Sequence, residues 1–272
     1  LCLSKTSLPK MSHTTSYPKC APITAPNIDK LAISSPPLPL ISLHGDRKKP
    51  RPEDLADVRT IVFDIQDVGA RFYTYLSTLA LMMEAASELG IAVMVCDRPN
   101  PHGHHLAGPM LQPEFTSFVG QIPVPLVHGF TLGEAASFIN MEVLDERCAL
   151  TVIPCLGWSH SDRWDPPIAP SPNLPTAESI ALYPSLCLFE PTAVSVGRGT
   201  ERPFEQIGSP SLPSTGHAFT PWPIAGVAPH PKHEGQTCHG SDLHELGKEW
   251  LASPSSFDLW HIIEMHRAMP PQ

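Results

Sequence analysis

The sequence predicts an α/β fold: a parallel sheet flanked by helices, followed by the start of a smaller C-terminal domain. Three observations carry this. Residues 60–65 (TIVFDI) form a short, almost wholly apolar run, as expected of a strand covered by helices on both faces. Leu76, Leu79, Met83, Ala86 and Leu89 then recur at helical spacing over about four turns, and a second apolar run follows at 91–96 (IAVMVC). Both runs give way at once to charged and amide side chains, which is where an open α/β sheet presents its ligand site.

In chain order, the first 38 residues show neither a signal-peptide pattern nor sustained periodicity, and are expected to be a disordered or non-native extension. Residues 39–210 are expected to form the α/β domain. Gly90 closes the first helix as a C-cap, and strand, helix and strand in succession make a βαβ unit, hence a parallel pair. Residues 131–134 (TLGE) have the capping-box form, in which Thr and Glu satisfy each other's free backbone N–H groups; Ala135, Phe138 and Ile139 supply the apolar face of that helix. Residues 149–153 read as a third strand and 193–196 as the last clear one. From about residue 211 the composition shifts to Pro, His and Gly, so 211–272 is assigned to a partial C-terminal domain. The end, FDLWHIIEMHRAMPPQ, stops in what reads as an amphipathic helix, an indication that the chain is cut short there.

Bulk properties exclude several classes. A net charge of −9 argues against nucleic acid as partner. No apolar run approaches the ~18 residues of a membrane span. The seven cysteines have no CxxC spacing, and Cys96 and Cys187 read as small buried hydrophobes. The 33 prolines predict loop-rich regions. Neither His102, His104 and His105 nor His230, His233, Cys238 and His239 matches a zinc spacing, and both runs are expected to be solvated loops. A dinucleotide site would need G-x-G-x-x-G after the first strand, where only Gly69 is present; no G-x-S-x-G elbow exists. A phosphoaspartyl hydrolase would want its second carboxylate two residues after Asp64, but the next is Asp67.

Gln66, Asp67 and Arg71 follow the first strand, and Asp97, Arg98 and Asn100 the second; in a parallel sheet these lie on one edge and can converge. The structural alternative is that Asp97 and Arg98 cap helix ends and pair with each other. Asn173, in the proline-held SPNLP loop, can donate and accept, or can simply form an Asx-turn. Glu190, Arg198 between two glycines, and Phe204-Glu205 flank the last strand; Arg198 suits a carboxylate fork, with an exposed turn as the alternative. His128 precedes the capping box and so stands at a helix N-terminus.

Taken in order, FDIQDVGARFYTY, CDRPNP, VHGFTLGEAASFIN, APSPNLP, YPSLCLFEPT, SVGRGTERPFEQIGSP and HEGQTCHG resemble the NamZ-type exo-β-N-acetylmuramidases, peptidoglycan-recycling glycosidases, from about Pro39 to Gly240. The resemblance implies a Rossmann-like N-terminal domain, a smaller C-terminal domain and a cleft between them. It also implies release of terminal N-acetylmuramic acid from the non-reducing end of peptidoglycan fragments or muropeptides, with no cofactor, in an extracytoplasmic or secreted setting. Glycoside hydrolysis generally uses two carboxyl groups; Asp67, Glu190 and Glu205 are the candidates, with Asp64 structural. Arg71, Arg98 or Arg198 would bind the lactyl carboxylate, Gln66, Asn100 and Asn173 the hydroxyls or acetamido group, and Phe204, Tyr73 or Tyr75 a sugar face, with His128 nearby. The chain departs from the family pattern in lacking an upstream Gly-Pro-Glu-His-Gly-type segment and in Pro191, where the family tends to have Gly. A non-catalytic muropeptide-binding remnant is therefore the alternative expectation.

Overall fold

The computed structural model describes residues 40–43, 45–214, 216–253 and 257–269. The extension expected over residues 1–38 lies outside the described residues. In chain order the elements are β1 (Thr60–Phe63), α1 (Tyr75–Leu89), β2 (Ala92–Cys96), β3 (Ala107–Met110), β4 (Pro125–Val127), α2 (Leu132–Phe138), β5 (Leu150–Ile153), α3 (Ala177–Leu186), β6 (Gln206–Ser209), β7 (His217–Phe219), β8 (Cys238–Asp242), α4 (His244–Ala252) and α5 (Trp260–Ala268).

The central sheet is parallel, in the order β1-β2-β5, with Phe63 opposite Val95 and Val95 opposite Val152. Gly90 ends α1 in the left-handed conformation (φ 64°), which costs little without a Cβ. The Thr131–Glu134 capping box forms, with both reciprocal bonds in place. Side chains alternate along β1: Ile61 and Phe63 are fully buried against Leu76, Leu79 and Met83, whereas Val62 is 44% exposed. Ile153 on β5 is 47% exposed as well; the expected parallel sheet with flanking helices is present, and among the described residues α1 and α2 pack on the face opposite Val62 and Ile153.

The second half differs more from expectation. Residues 193–196 are not a strand but contribute a single bridge from Ser195 to Gly208. Helix α3, which the sequence pattern hides, follows a Thr176–Ser179 capping box and is buried from Ser179 to Leu186, including Pro184. A helix apolar all round has no polar face to give it a period. Strands β6, β8 and β7 form an antiparallel sheet that spans both sides of residue 211. A second core gathers Val68 and Ala70 with Ile180, Leu186, Phe189, Val196, Phe204, Ile207 and Leu243, so the loop after β1 packs on the C-terminal half.

Candidate active site

The loop after β1 is shaped by Gly69, whose φ of 78° favours glycine; a Cβ there would fall 2.2 Å from Asn100 Oδ1. That close approach joins the exits of β1 and β2. Gln66 donates from Nε2 to Pro99 O (2.9 Å) and Asp67 O (2.8 Å). Asn100 Nδ2 donates to Phe130 O (2.8 Å), and its Oδ1 accepts from His102 N (2.8 Å). Gln66 and Asn100 thus build the frame.

Beyond Gly69 the chain pairs with the end of β4: Arg71 N donates to Leu126 O (2.7 Å), His128 N donates to Gly69 O (3.1 Å), and Ala70 bridges Val127. This brings Asp67 and His128 side by side, 5% and 2% exposed, with His128 Nε2 3.7 Å from Asp67 Oδ1. The distance is inside ion-pair range and outside hydrogen-bond range. Asp67 Oδ1 accepts from Gly69 N (2.7 Å), whereas Asp67 Oδ2 and both His128 nitrogens are buried without a partner. Buried polar atoms are nearly always paired, because each orphan costs about 1–3 kcal/mol. Two orphaned nitrogens thus stand beside an orphaned carboxylate oxygen.

Tyr73 stands edge-on to Tyr75 (5.0 Å between centroids) and to Tyr183 (5.8 Å), and donates to Pro170 O (2.9 Å). Burial, and then the charges of neighbours including Asp67, raise the pKa of its hydroxyl far above the usual phenol range. Tyr183 is raised similarly, by burial first, and feels the charges of Glu190, Arg198 and Asp67 together. Its ring stands edge-on to Tyr73 on one side and to Phe204 on the other. The sequence pattern does not single Tyr183 out, because α3 is buried nearly throughout and shows no helical period.

The three candidate arginines differ in their partners. Arg98 pairs with Asp64 (2.7 Å) in the open, both about half exposed, and Arg198 pairs with Glu190 (2.6 Å) over the Phe204 ring (5.0 Å). Arg71 is buried, its Nη1 donating to Pro109 O (2.9 Å) and Val124 O (2.6 Å), its Nε unpaired. Among the described residues no carboxylate contacts it, and burial pulls its pKa down. Asp97 caps α2, accepting from Thr131 Oγ1 (2.8 Å) and Gly133 N (2.8 Å), so it does not pair with the Arg98 side chain.

Asn173 Nδ2 donates to Val227 O (3.1 Å), and its buried Oδ1 has no partner; the turn itself is held by Ser171. Phe204 is fully buried at φ 60°, its ring edge-on to Tyr183, so its accessible role is to carry Arg198. Glu205 is also buried. One carboxylate oxygen accepts from Thr176 Oγ1 and the other from His244 Nδ1 (2.7 Å), with Arg202 3.6 Å away. That engagement ties α3, β6 and α4 together.

The first histidine run is not a solvated loop, which corrects that expectation; in the second, His230 is exposed in a bend, as expected, and His233 lies in a turn. His102 is 2% exposed and donates from Nδ1 to Val68 O (2.6 Å), with His104 stacked on it (6.5 Å between centroids) and His105 edge-on (5.7 Å). Cys238 and His239 lie on β8. Among the described residues no group of three or more His, Cys, Asp or Glu side chains is placed to hold a metal ion.

Comparison with known proteins places this geometry. Residues 26–178 match the family model described as exo-beta-N-acetylmuramidase NamZ, N-terminal, and residues 181–271 match its C-terminal counterpart. The peptidoglycan beta-N-acetylmuramidase NamZ of Bacillus subtilis (strain 168) is 47% identical over 227 residues, covering 78% of this chain and 55% of the relative. The chain therefore spans about half the length of that curated relative. Two crystal structures of DUF1343-family proteins from Bacteroides fragilis NCTC 9343 share the fold. The first has a TM-score of 0.76 at 41% identity, covering 80% of this chain and 62% of the other. The second has a TM-score of 0.66 at 28% identity, covering 85% and 66%. With both halves matched and a curated relative at this identity, the chain belongs to the NamZ exo-β-N-acetylmuramidase family.

Proposed function

We propose that this chain acts on peptidoglycan-derived saccharides as an exo-β-N-acetylmuramidase, taking terminal N-acetylmuramic acid from the non-reducing end. The observation that carries the reading is the buried Asp67–His128 pair with its three orphaned polar atoms at the carboxyl edge of the sheet. Asp67 serves as the acid–base carboxylate and His128 as the group that shares its proton. Arg71 is the ligand for the lactyl carboxylate, because Arg98 and Arg198 already hold Asp64 and Glu190 whereas Arg71 is a buried cation with an unpaired Nε. Asn173, through its free Oδ1, serves the acetamido group, and Tyr73 frames the sugar.

The test is hydrolysis of a chromogenic β-N-acetylmuramide, with the β-N-acetylglucosaminide as control. Cleavage of the muramide alone is expected, falling about 100-fold or more in Asp67→Asn, whose amide oxygen still accepts from Gly69 N. One observation favours a second reading, binding without turnover: Glu190 is paired with Arg198 and both oxygens of Glu205 are engaged, so no second unengaged candidate carboxylate accompanies Asp67. Binding of N-acetylmuramic acid with no hydrolysis would decide for that reading.

A further inference from the structure

Lys232 directs its ammonium into the backbone of the segment that carries Glu190 and Arg198. Its Nζ donates to the carbonyls of Phe189 (3.2 Å), Glu190 (3.1 Å) and Val194 (3.0 Å), and also to that of Thr192. The adjacent His233, at φ 60°, donates from Nε2 to Ala193 O (2.7 Å). Two neighbouring side chains thus occupy every carbonyl from Phe189 to Val194 except that of Pro191.

The physical cause lies in α3. The helix and the turn that extends it end at Phe189, where the negative end of the dipole favours a cation, and the carbonyls of Glu190, Thr192 and Val194 just beyond it face the same ammonium. A lysine ammonium is a compact point charge with three rotatable donors, and a ring of carbonyls suits it as it suits a bare monovalent cation. Downstream, Ser195 exchanges two hydrogen bonds with Gly208 (2.7 and 3.0 Å) and Val196 O accepts from Phe204 N (2.7 Å). The caged segment therefore leads directly into the Arg198 turn.

We propose that Lys232 is the internal cation of a backbone carbonyl cage that fixes the course of the chain from Phe189 into the Arg198 turn. With the ammonium removed, four carbonyls lose that donor, and ammonium or potassium from solution is expected to take its place.

The test compares Lys232→Ala with wild type by thermal unfolding in ammonium chloride and in choline chloride at equal ionic strength. Lys232→Ala is expected to unfold about 4–8 °C below wild type in choline. Ammonium should recover a substantial part of that loss while leaving wild type unmoved. If Lys232→Ala does not fold, its refolding yield in the two salts gives the same comparison. Lys232→Met keeps the stem and drops the charge; hydrogen exchange should then quicken in peptides covering 189–198 and stay unchanged in α1. An equal response to both salts, or exchange that rises uniformly along the chain, would overturn the proposal. Neither readout uses a sugar, so their failure is separate from failure of the glycosidase reading.

Discussion

Arg71 shows how burial separates side chains that residue type leaves equivalent. Three arginines fit a carboxylate fork by chemistry, and only their partners separate them: two sit in ion pairs near solvent, one is buried on carbonyls. Arg71→Lys keeps the charge and loses the planar fork, so KM for the muramide should rise about tenfold with kcat much less affected. An unchanged KM would move the lactyl contact elsewhere. His104 and His105 carry a second consequence. Burial first, with Arg163 and the neighbouring histidines adding to it, holds them at about 4 and about 3. The unfolded chain takes up these protons near pH 6.5, so between about 6.5 and 4 it binds more protons than the fold, and stability falls as pH drops through that window. His160 opposes this: Glu134 raises its pKa, so its contribution is present at low pH and lost as pH rises through that raised value. The melting temperature of wild type should fall more steeply below about pH 6.5 than that of a His104→Gln, His105→Gln double variant; parallel curves would show that these two residues do not cause the slope.

At the scale of elements, local rules hold where a segment makes its own contacts. The capping box of α2 is legible in residues 131–134, and the fold adds what sequence did not show, namely Asp97 bonding both Thr131 Oγ1 and Gly133 N. Thr131→Ala removes the cap and leaves the Asp97 carboxylate short of a donor, so it should cost about 2 kcal/mol in urea unfolding. Gly69→Ala should cost about 2 kcal/mol or more, because φ 78° is strained for alanine and its Cβ strikes the Asn100 amide. A small effect would mean that the β1–β2 exits are not locked in the way described. Helix α3 marks the limit of local reading: it is buried nearly throughout and holds a proline, so neither periodicity nor propensity announces it.

For the molecule as a whole, Glu205 ties together the elements of its second half, bonded from Thr176 at the start of α3 and His244 at the start of α4. Glu205→Ala strips both of their shared partner and should destabilise by about 3 kcal/mol, read in the denaturation midpoint. Because β6 pairs with β8 across residue 211, a protease cut within 211–216 should leave the two pieces associated on a sizing column; separation would contradict the shared sheet. Sequence alone determined the βαβ unit, the parallel order of its strands, the caps at Gly90 and Thr131 and the family, because each is written in residues close together in the chain or in motifs kept in order. It also named Asp67, Arg71 and His128 as candidates. Only the tertiary structure decided that Asp67 meets His128, that among the described residues Arg71 lacks a carboxylate where Arg98 and Arg198 have one, and that Glu205 is a buried tie rather than a free acid. Those outcomes depend on which distant partner reaches a side chain first and on how much water is left around it, and neither quantity is encoded in local spacing.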